Sequence, residues 1–174
     1  MAINLQSLSK PTGQRPIIAT LFGEGGMGKT TLAAMFPKPV FIRTEDGTAS
    51  LMGNDNVSLF PLATSTKDVL DAIEVLATEK HDFKTLVIDS ITQLATLIEA
   101  EIVAADPKAK SINQAGGGYG AGYGTASEVH RQVREWAGSL AYETGMNVVF
   151  IGHADTETLD LPDMDSYARY CVRM

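Results

Sequence analysis

The sequence has one cysteine, few basic residues and no long apolar run, and each shortage excludes a class of protein. Because Cys171 is alone, an internal disulfide cannot form, and this cysteine usage is typical of the reducing cytoplasm. No window approaches the roughly 18 uninterrupted apolar residues of a membrane span, and residues 1–16 lack the apolar core of a signal peptide. We therefore expect a cytoplasmic protein with no membrane partner.

Positive charge is scarce as well. Lysine and arginine together number 14 against 21 aspartates and glutamates, which gives a net charge of −7. A surface of this sign does not attract the nucleic-acid backbone as a whole, so any contact with nucleic acid must be local. The 174 residues are 44% hydrophobic, enough for one three-layer domain. We expect a flexible N-terminal arm over residues 1–16 and one domain over residues 17–174.

Residues 23–30 read Gly-Glu-Gly-Gly-Met-Gly-Lys-Thr, which fits the phosphate-binding pattern G-x-x-x-x-G-K-[ST] at every fixed position. Glycines let the backbone curl so that successive N–H groups converge on a phosphate. In this pattern Lys29 reaches the β- and γ-phosphates, and the Thr30 hydroxyl ligates Mg²⁺. The sequence thus predicts a nucleoside triphosphate, taken as ATP, with Mg²⁺. The predicted nucleotide-binding residues are Gly23, Glu24, Gly25, Gly26, Met27, Gly28, Lys29, Thr30 and Thr31.

Apolar runs alternate with helical patterns along the chain. One helix follows the phosphate-binding loop, and others are expected after the capping residues Ser65, Ser90 and Thr125. Residues 106–124 are predicted to form a long glycine-rich loop. The alternation predicts an α/β, three-layer fold with a parallel, doubly wound sheet and helices on both faces. The predicted strands are 17–22, 40–44, 57–62, 85–89 and 147–151, the third an edge strand because it contains proline.

Ligands of such sheets bind beyond the carboxyl ends of the strands, which selects three further polar residues. Asp89 follows four apolar residues, the position of a carboxylate that holds Mg²⁺ or its water; alternatively it caps a helix. Glu45 ends the second strand, where it would orient the attacking water or be a solvated turn acid. His153 ends the fifth strand, where it would sense the γ-phosphate or lie in a surface turn.

The motifs taken together resemble those of the RecA-like ATPases. They are residues 23–31, Phe41-Ile-Arg-Thr-Glu-Asp-Gly47, Leu86-Val-Ile-Asp-Ser-Ile-Thr92, a Tyr-Gly pair before a helix, and Asn147-Val-Val-Phe-Ile-Gly-His153. More narrowly, the chain is similar to phage-encoded AAA-family nucleotide-binding proteins, some of which act as single-strand annealing recombinases. The resemblance implies the strand order 3-2-4-5-1, which brings Glu45 beside Asp89.

The resemblance also implies roles for these residues. Glu45 corresponds to the catalytic base, and His153 corresponds to the residue that couples the γ-phosphate to a DNA-binding loop, although RecA itself has glutamine there. With Lys29 they form the predicted catalytic set, and Thr30 and Asp89 form the metal set. RecA-like cores continue with further strands beyond the last residues of this chain, so we expect a fragment or an unusually short member.

The implied function is ATP binding and hydrolysis, acting on single-stranded DNA in phage-type recombination or annealing in a bacterial host cytoplasm. A homo-oligomer and a single-strand DNA-binding protein are the implied protein partners. Tyr119 and Tyr123 in the glycine-rich loop, or the segment after His153, would contact the DNA. A flexible loop beside a solvated helix is the alternative. The basic residues near it in sequence are Lys108, Lys110, Arg131 and Arg134.

Two other functions are compatible with the phosphate-binding loop. A small-molecule kinase with such a loop needs an acceptor pocket and usually an arginine-bearing lid, and residues 106–124 contain lysines but no arginine. A nucleotide-gated binding module with little hydrolysis needs neither. No arginine of the sequence can be assigned as a finger that acts across subunits.

Overall fold

The computed structural model describes residues 15–172, so the predicted N-terminal arm lies outside the described residues except for its last two. Two short 3-10 helices, Thr48–Leu51 and Ala115–Gly117, accompany the regular elements. Those elements are β1 (Ile18–Gly23), α1 (Lys29–Ala34), β2 (Pro39–Arg43), β3 (Ser58–Leu62), α2 (Thr66–Thr78), β4 (Thr85–Asp89), α3 (Ile91–Ala105), α4 (Ala121–Thr144), β5 (Asn147–Leu161) and β6 (Met164–Val172).

Five of the strands form a parallel sheet in the order β1-β5-β4-β2-β3. Counted from the other edge, this is the order 3-2-4-5-1, so the α/β fold and the predicted sheet are confirmed. The register brings the carboxyl ends of the inner strands to one level. Gly23 pairs with His153, and Asp89 lies between Arg43 and Ile151.

The core lies on both faces of this sheet, because successive side chains of a buried strand point to opposite sides. Leu86 and Ile88 of β4 pack into the larger cluster, which α2, α3 and α4 cover. Val87 packs into the smaller cluster with Phe41 and Ala33, under α1. Every residue of β4 is buried. The continuous apolar run of β4 in the sequence therefore marks the central strand of a three-layer domain.

Two predicted helix starts are confirmed. Ser65 and Asp68 form a reciprocal capping box at the start of α2, and the Ser90 hydroxyl accepts a hydrogen bond from the Gln93 N–H at the start of α3. These caps satisfy backbone donors that have no partner within the helix. No helix within residues 15–172 has both the length and the apolar content that crossing a membrane requires.

The predicted start of α4 at Thr125 is wrong. The helix begins at Ala121, and the Thr125 hydroxyl donates to the Ala121 carbonyl oxygen inside it. The reason is a contact across the loop, because the first turn of α4 lies against the backbone of Ile112. A Cβ at Gly122 would be 2.2 Å from the Ile112 carbonyl oxygen. Only glycine permits this approach, so the second half of the glycine-rich segment is helix rather than loop.

The fifth strand is longer than predicted. Its first half pairs in parallel with β1 and β4, and its second half, from Ala154, pairs antiparallel with β6. The sequence after Ile151 is polar and mostly exposed, so no hydrophobic pattern indicates a strand there. His153 is consequently the last residue of the parallel half and directly precedes a hairpin.

We expect Gly122→Ala to separate the 106–120 loop from α4 and to lower the free energy of unfolding by about 1–3 kcal/mol, the usual cost of overpacking. Urea denaturation measures this loss, and hydrogen exchange near Ile112 locates it. Gly124→Ala is the matched control, because a Cβ there meets nothing within 4 Å. Equal losses in both variants would contradict the close-contact explanation.

Candidate functional site

The predicted phosphate-binding loop connects β1 to α1. Gly26 and Gly28 have φ angles of 78° and 83°, in the left-handed region that side-chain-bearing residues rarely adopt. A Cβ at Gly25, Gly26 or Gly28 would meet no protein atom within 4 Å. Backbone turns of this kind form concave nests of N–H groups that bind anions. The loop therefore fits a phosphate group and leaves space for it.

Lys29 is the first residue of α1 and turns back over the loop. Its Nζ donates hydrogen bonds to the carbonyl oxygens of Gly23, at 2.9 Å, and of Glu24, at 2.8 Å. The ammonium group thus lies beside the backbone that would surround a phosphate, and its contact with the β- and γ-phosphates stays a prediction.

Thr30 and Asp89 join the loop to the central strand. The Thr30 hydroxyl donates to Asp89 Oδ2 at 2.8 Å across 59 residues of sequence. Asp89 is only 6% exposed, and burial raises the pKa of its carboxyl group above the ordinary value. The hydrogen bond from Thr30 opposes this increase, and the negative charge of Glu45 adds to it. The peptide bond from Asp89 to Ser90 is cis.

The same two side chains are the candidate metal ligands. Within residues 15–172, no group of three or more histidine, cysteine, aspartate or glutamate side chains could hold a metal ion on its own. A hydroxyl and one carboxylate are hard oxygen donors that suit Mg²⁺, an ion that keeps several waters and also takes phosphate oxygens. Thr30 and Asp89 therefore fit a magnesium ion that a nucleotide helps to hold.

Glu45 and His153 meet in the same cleft. His153 Nε2 lies 2.8 Å from Glu45 Oε1, although the residues are 108 apart in sequence, and both side chains are about one third exposed. The cleft has a volume of about 380 Å³. It is lined by Gly26, Gly28, Lys29, Thr30, Thr31, Glu45, Gly47, Ala49, Ser50, Asp89, Ile151 and His153.

All predicted catalytic and metal residues therefore line one cleft. The first residues of the phosphate-binding loop do not line it. Gly23, Glu24 and Met27 line a second cavity of about 250 Å³, together with Ala154 and Tyr170 of the hairpin. The Glu24 carboxylate accepts a hydrogen bond from the Tyr170 hydroxyl, which raises the pKa of that phenol. The two groups of loop residues thus lie in separate cavities, and the roles predicted for all of them stay predictions.

Two threonines of the site have no signal in the sequence. The Thr44 hydroxyl donates to the Ser90 carbonyl oxygen at 2.7 Å and accepts from the Ser90 N–H at 2.9 Å. The Thr92 hydroxyl accepts from the His153 N–H at 2.9 Å. Each threonine lies inside a motif of the resemblance, but no role is predicted for it, and its partner belongs to a different segment of the chain. Only the strand order combined with the register could have identified them.

The two segments predicted to contact DNA differ in charge. The β5–β6 hairpin is acidic, and its Arg169 pairs with Glu157 at 2.5 Å. Tyr119, in the loop before α4, is fully exposed and has a φ of 52°, whereas Tyr123 lies in the first turn of the helix. Arg131 is bonded to the carboxylates of Glu128 and Glu135. The acidic residues of the hairpin are Asp155, Glu157, Asp160, Asp163 and Asp165.

We expect Asp89→Asn to weaken Mg²⁺-dependent nucleotide binding while the fold stays intact. Without Mg²⁺, its melting temperature should equal or exceed that of the wild type, because burial penalises the charge that the substitution removes. Calorimetric titration with and without Mg²⁺, and thermal denaturation, measure both effects. Asp82→Asn removes an exposed carboxylate that pairs with Lys38 and is the control for binding. Unfolding of Asp89→Asn would instead indicate a structural role for this carboxylate, since Ser90 is the cap of α3.

Comparison with known sequence families agrees with this arrangement. The sequence model of the AAA domain matches residues 15–174, most of the chain. No curated protein is significantly similar to the chain. The match covers the loop, the central strand and the residues that line the cleft. The chain therefore belongs to the AAA domain family of nucleotide-binding proteins.

Proposed function

We propose that the protein is a magnesium-dependent ATPase with Glu45 as its catalytic base. The observation that carries this proposal is the 2.8 Å contact between Glu45 and His153, in the cleft that Lys29 and Asp89 also line. A carboxylate that shares a cleft with a phosphate-binding loop and a metal-binding pair can act on a water that attacks the γ-phosphate.

Each side chain would contribute a different interaction. Lys29 would turn from the loop carbonyls to the β- and γ-phosphates, and Thr30 and Asp89 would hold the magnesium ion. ATP supplies the phosphoryl group, and Glu45 would accept a proton from the attacking water. In the tautomer protonated at Nε2, His153 donates to Glu45 and fixes the direction of its carboxylate.

We also propose that the ATPase acts on single-stranded DNA, in phage-type recombination or annealing, as a homo-oligomer in the cytoplasm of a bacterial host. A single-strand DNA-binding protein is the accessory partner in this proposal. The RecA-like resemblance supports it, and the contact between Glu45 and His153 supports the coupling that such proteins need between nucleotide and DNA. The proposed action on single-stranded DNA therefore depends on a DNA contact outside the cleft.

The loop before α4 is the favoured DNA contact. Asp106 orders it by accepting hydrogen bonds from the Lys108 and Gly116 N–H groups, and Tyr119 projects from it fully exposed. An exposed ring on an ordered turn is a suitable platform for base stacking. The hairpin after His153 is the less favoured site, because its acidic residues repel phosphate. These observations support the loop before α4, rather than the hairpin, as the DNA contact of this proposal.

Few basic residues lie near Tyr119 in the sequence. We therefore expect base stacking to contribute more to DNA binding than attraction between basic residues and phosphates. Lys108 and Lys110 are exposed, and Arg134 lies further along α4, whereas Arg131 is engaged with glutamates. Stacking contributes about 1–3 kcal/mol per base and does not depend on sequence. Binding should therefore show little sequence preference and only a shallow dependence on salt concentration.

We expect Glu45→Gln to bind ATP normally and to hydrolyse it about 10²–10⁴-fold more slowly, because an amide cannot accept the proton of water. Steady-state phosphate release and nucleotide titration measure the two properties. Asp46→Asn changes the adjacent acid and should keep the wild-type rate, whereas Lys29→Ala should lose nucleotide binding. An unchanged rate in Glu45→Gln would return Glu45 to the role of a turn acid.

For DNA, we expect ATP-dependent binding of a labelled single strand, measured by fluorescence anisotropy with ATP, with ADP and without nucleotide. Tyr119→Ala should weaken this binding about 5- to 150-fold, the equivalent of one lost stacking contact. Tyr142→Ala removes an exposed tyrosine near the other end of α4 and is the matched control. Absence of binding in every nucleotide state would contradict the DNA proposal.

The hydrolysis assay should be run with and without single-stranded DNA. The proposed function predicts that DNA stimulates phosphate release. Hydrolysis that DNA does not change, together with phosphate transfer to a small acceptor, would identify a P-loop kinase instead. Tight ATP binding without turnover would identify a nucleotide-gated binding module.

A further inference from the structure

Thr44 connects the end of β2 to the turn after β4 more closely than the strand pairing alone does. Its N–H donates to the Asp89 carbonyl oxygen at 2.8 Å, and its hydroxyl exchanges two hydrogen bonds with the Ser90 backbone. Thr44 is 5% exposed and Ser90 is completely buried. Water therefore does not compete for these three hydrogen bonds, and no other hydroxyl is needed to satisfy the Ser90 peptide.

This connection lies at the point where two candidate site residues leave the sheet. The register of β2 and β4 ends at the pair Arg43 and Asp89. Glu45 is the next residue after Thr44 and has no strand partner in that register. The side chain of Thr44 thus extends the attachment of β2 past the last strand pair, and the backbone of Glu45 is fixed relative to that of Asp89.

The other side of the same turn is attached to β5. The His153 N–H donates to the Thr92 hydroxyl at 2.9 Å, and His153 Nε2 contacts Glu45. The segment from Asp89 at the end of β4 to Thr92 in the first turn of α3 is therefore bonded to the end of β2 through Thr44 and to β5 through Thr92. These two attachments add to the strand pairing that places the backbones from which Glu45 and His153 project.

We propose that Thr44 is a positioning residue for ATP hydrolysis, which holds Glu45 in register with Asp89 and His153. The inference rests on the proposed ATPase activity and assigns no contact between Thr44 and the nucleotide. Thr44 does not line the cleft. Its hydroxyl is hydrogen-bonded to the Ser90 backbone and not to Lys29 or to the glycines of the phosphate-binding loop. Its loss should therefore change turnover rather than nucleotide binding.

The test compares variants that differ in one hydroxyl. Thr44→Val keeps the shape of the side chain and removes both hydroxyl hydrogen bonds, so kcat should fall at least about tenfold while KM for ATP changes less than about threefold. Thr44→Ser retains the hydroxyl and should recover most of the wild-type kcat. Thr92→Val loosens the other side of the turn and should act in the same direction, and it serves if Thr44→Val does not fold.

The chain offers a matched control at the opposite end of β4. Thr85 is fully buried, and its hydroxyl donates to the Pro37 carbonyl oxygen at 2.9 Å and accepts from Asn147 Nδ2 at 3.4 Å. Thr85→Val should lower the melting temperature about as much as Thr44→Val and leave kcat unchanged. An equal loss of kcat in Thr85→Val would overturn the inference, because general destabilisation would then explain both.

A second measurement does not need turnover. The ring nitrogens of His153 can be followed by ¹⁵N NMR without nucleotide, and assigned among the three histidines by the signals missing from His153→Asn. Thr44→Val should shift the His153 Nε2 signal, because the partner carboxylate moves, whereas Thr44→Ser and Thr85→Val should not. If the wild-type protein does not hydrolyse ATP, the proposed function is refuted. The His153 Nε2 signal then tests by itself whether Thr44 positions Glu45. An unshifted signal together with wild-type kcat in Thr44→Val would overturn it.

Discussion

A carboxylate buried at the end of the central strand is the constraint around which the site is built. Asp89 is 6% exposed, and a buried charge is costly unless hydrogen bonds and opposite charges compensate for it. Thr30 from the loop donates to its carboxylate, and the N–H of Thr44, the residue after β2, donates to its backbone carbonyl oxygen. Lys29 adds a favourable electrostatic interaction. The hydrogen bonds of this one residue thus bring the loop, β2 and β4 together, and a magnesium ion would complete the compensation of its charge.

Local signals made much of the fold predictable. The apolar run at 85–89 matches β4 to the residue, and the capping box at Ser65 marks the start of α2, because both depend on a few adjacent residues. The start of α4 was mispredicted because the contact between Gly122 and Ile112 crosses a loop. The extent of β5 is not predicted because its residues after His153 are mostly exposed and carry no hydrophobic pattern. Hydrophobic periodicity indicates which face of a helix or strand is buried, and it does not indicate how exposed strands pair.

In the candidate site, too, features of adjacent residues could be predicted and contacts between distant segments could not. Lys29, Thr30 and Asp89 belong to motifs that can be read within single segments. The contact between Glu45 and His153 depends on strand order, which came from a family resemblance, and the geometry of 2.8 Å depends on the register. Thr44 and Thr92 could not be predicted, since a threonine hydroxyl has many available partners and only the tertiary structure selects one.

The hairpin that follows His153 has a base and a tip, which should differ in their tolerance of sequence changes. Its base holds Ala154 and Tyr170, which line a cavity with the phosphate-binding loop, and Tyr170 bonds to Glu24. Its tip, around Pro162 and Asp163, is exposed and pairs only within the hairpin. Insertions or altered sequences are therefore tolerable at the tip and disruptive at the base. A fluorophore attached at the tip would leave the cleft chemically unaltered and still be joined, through one continuous strand, to the histidine inside it.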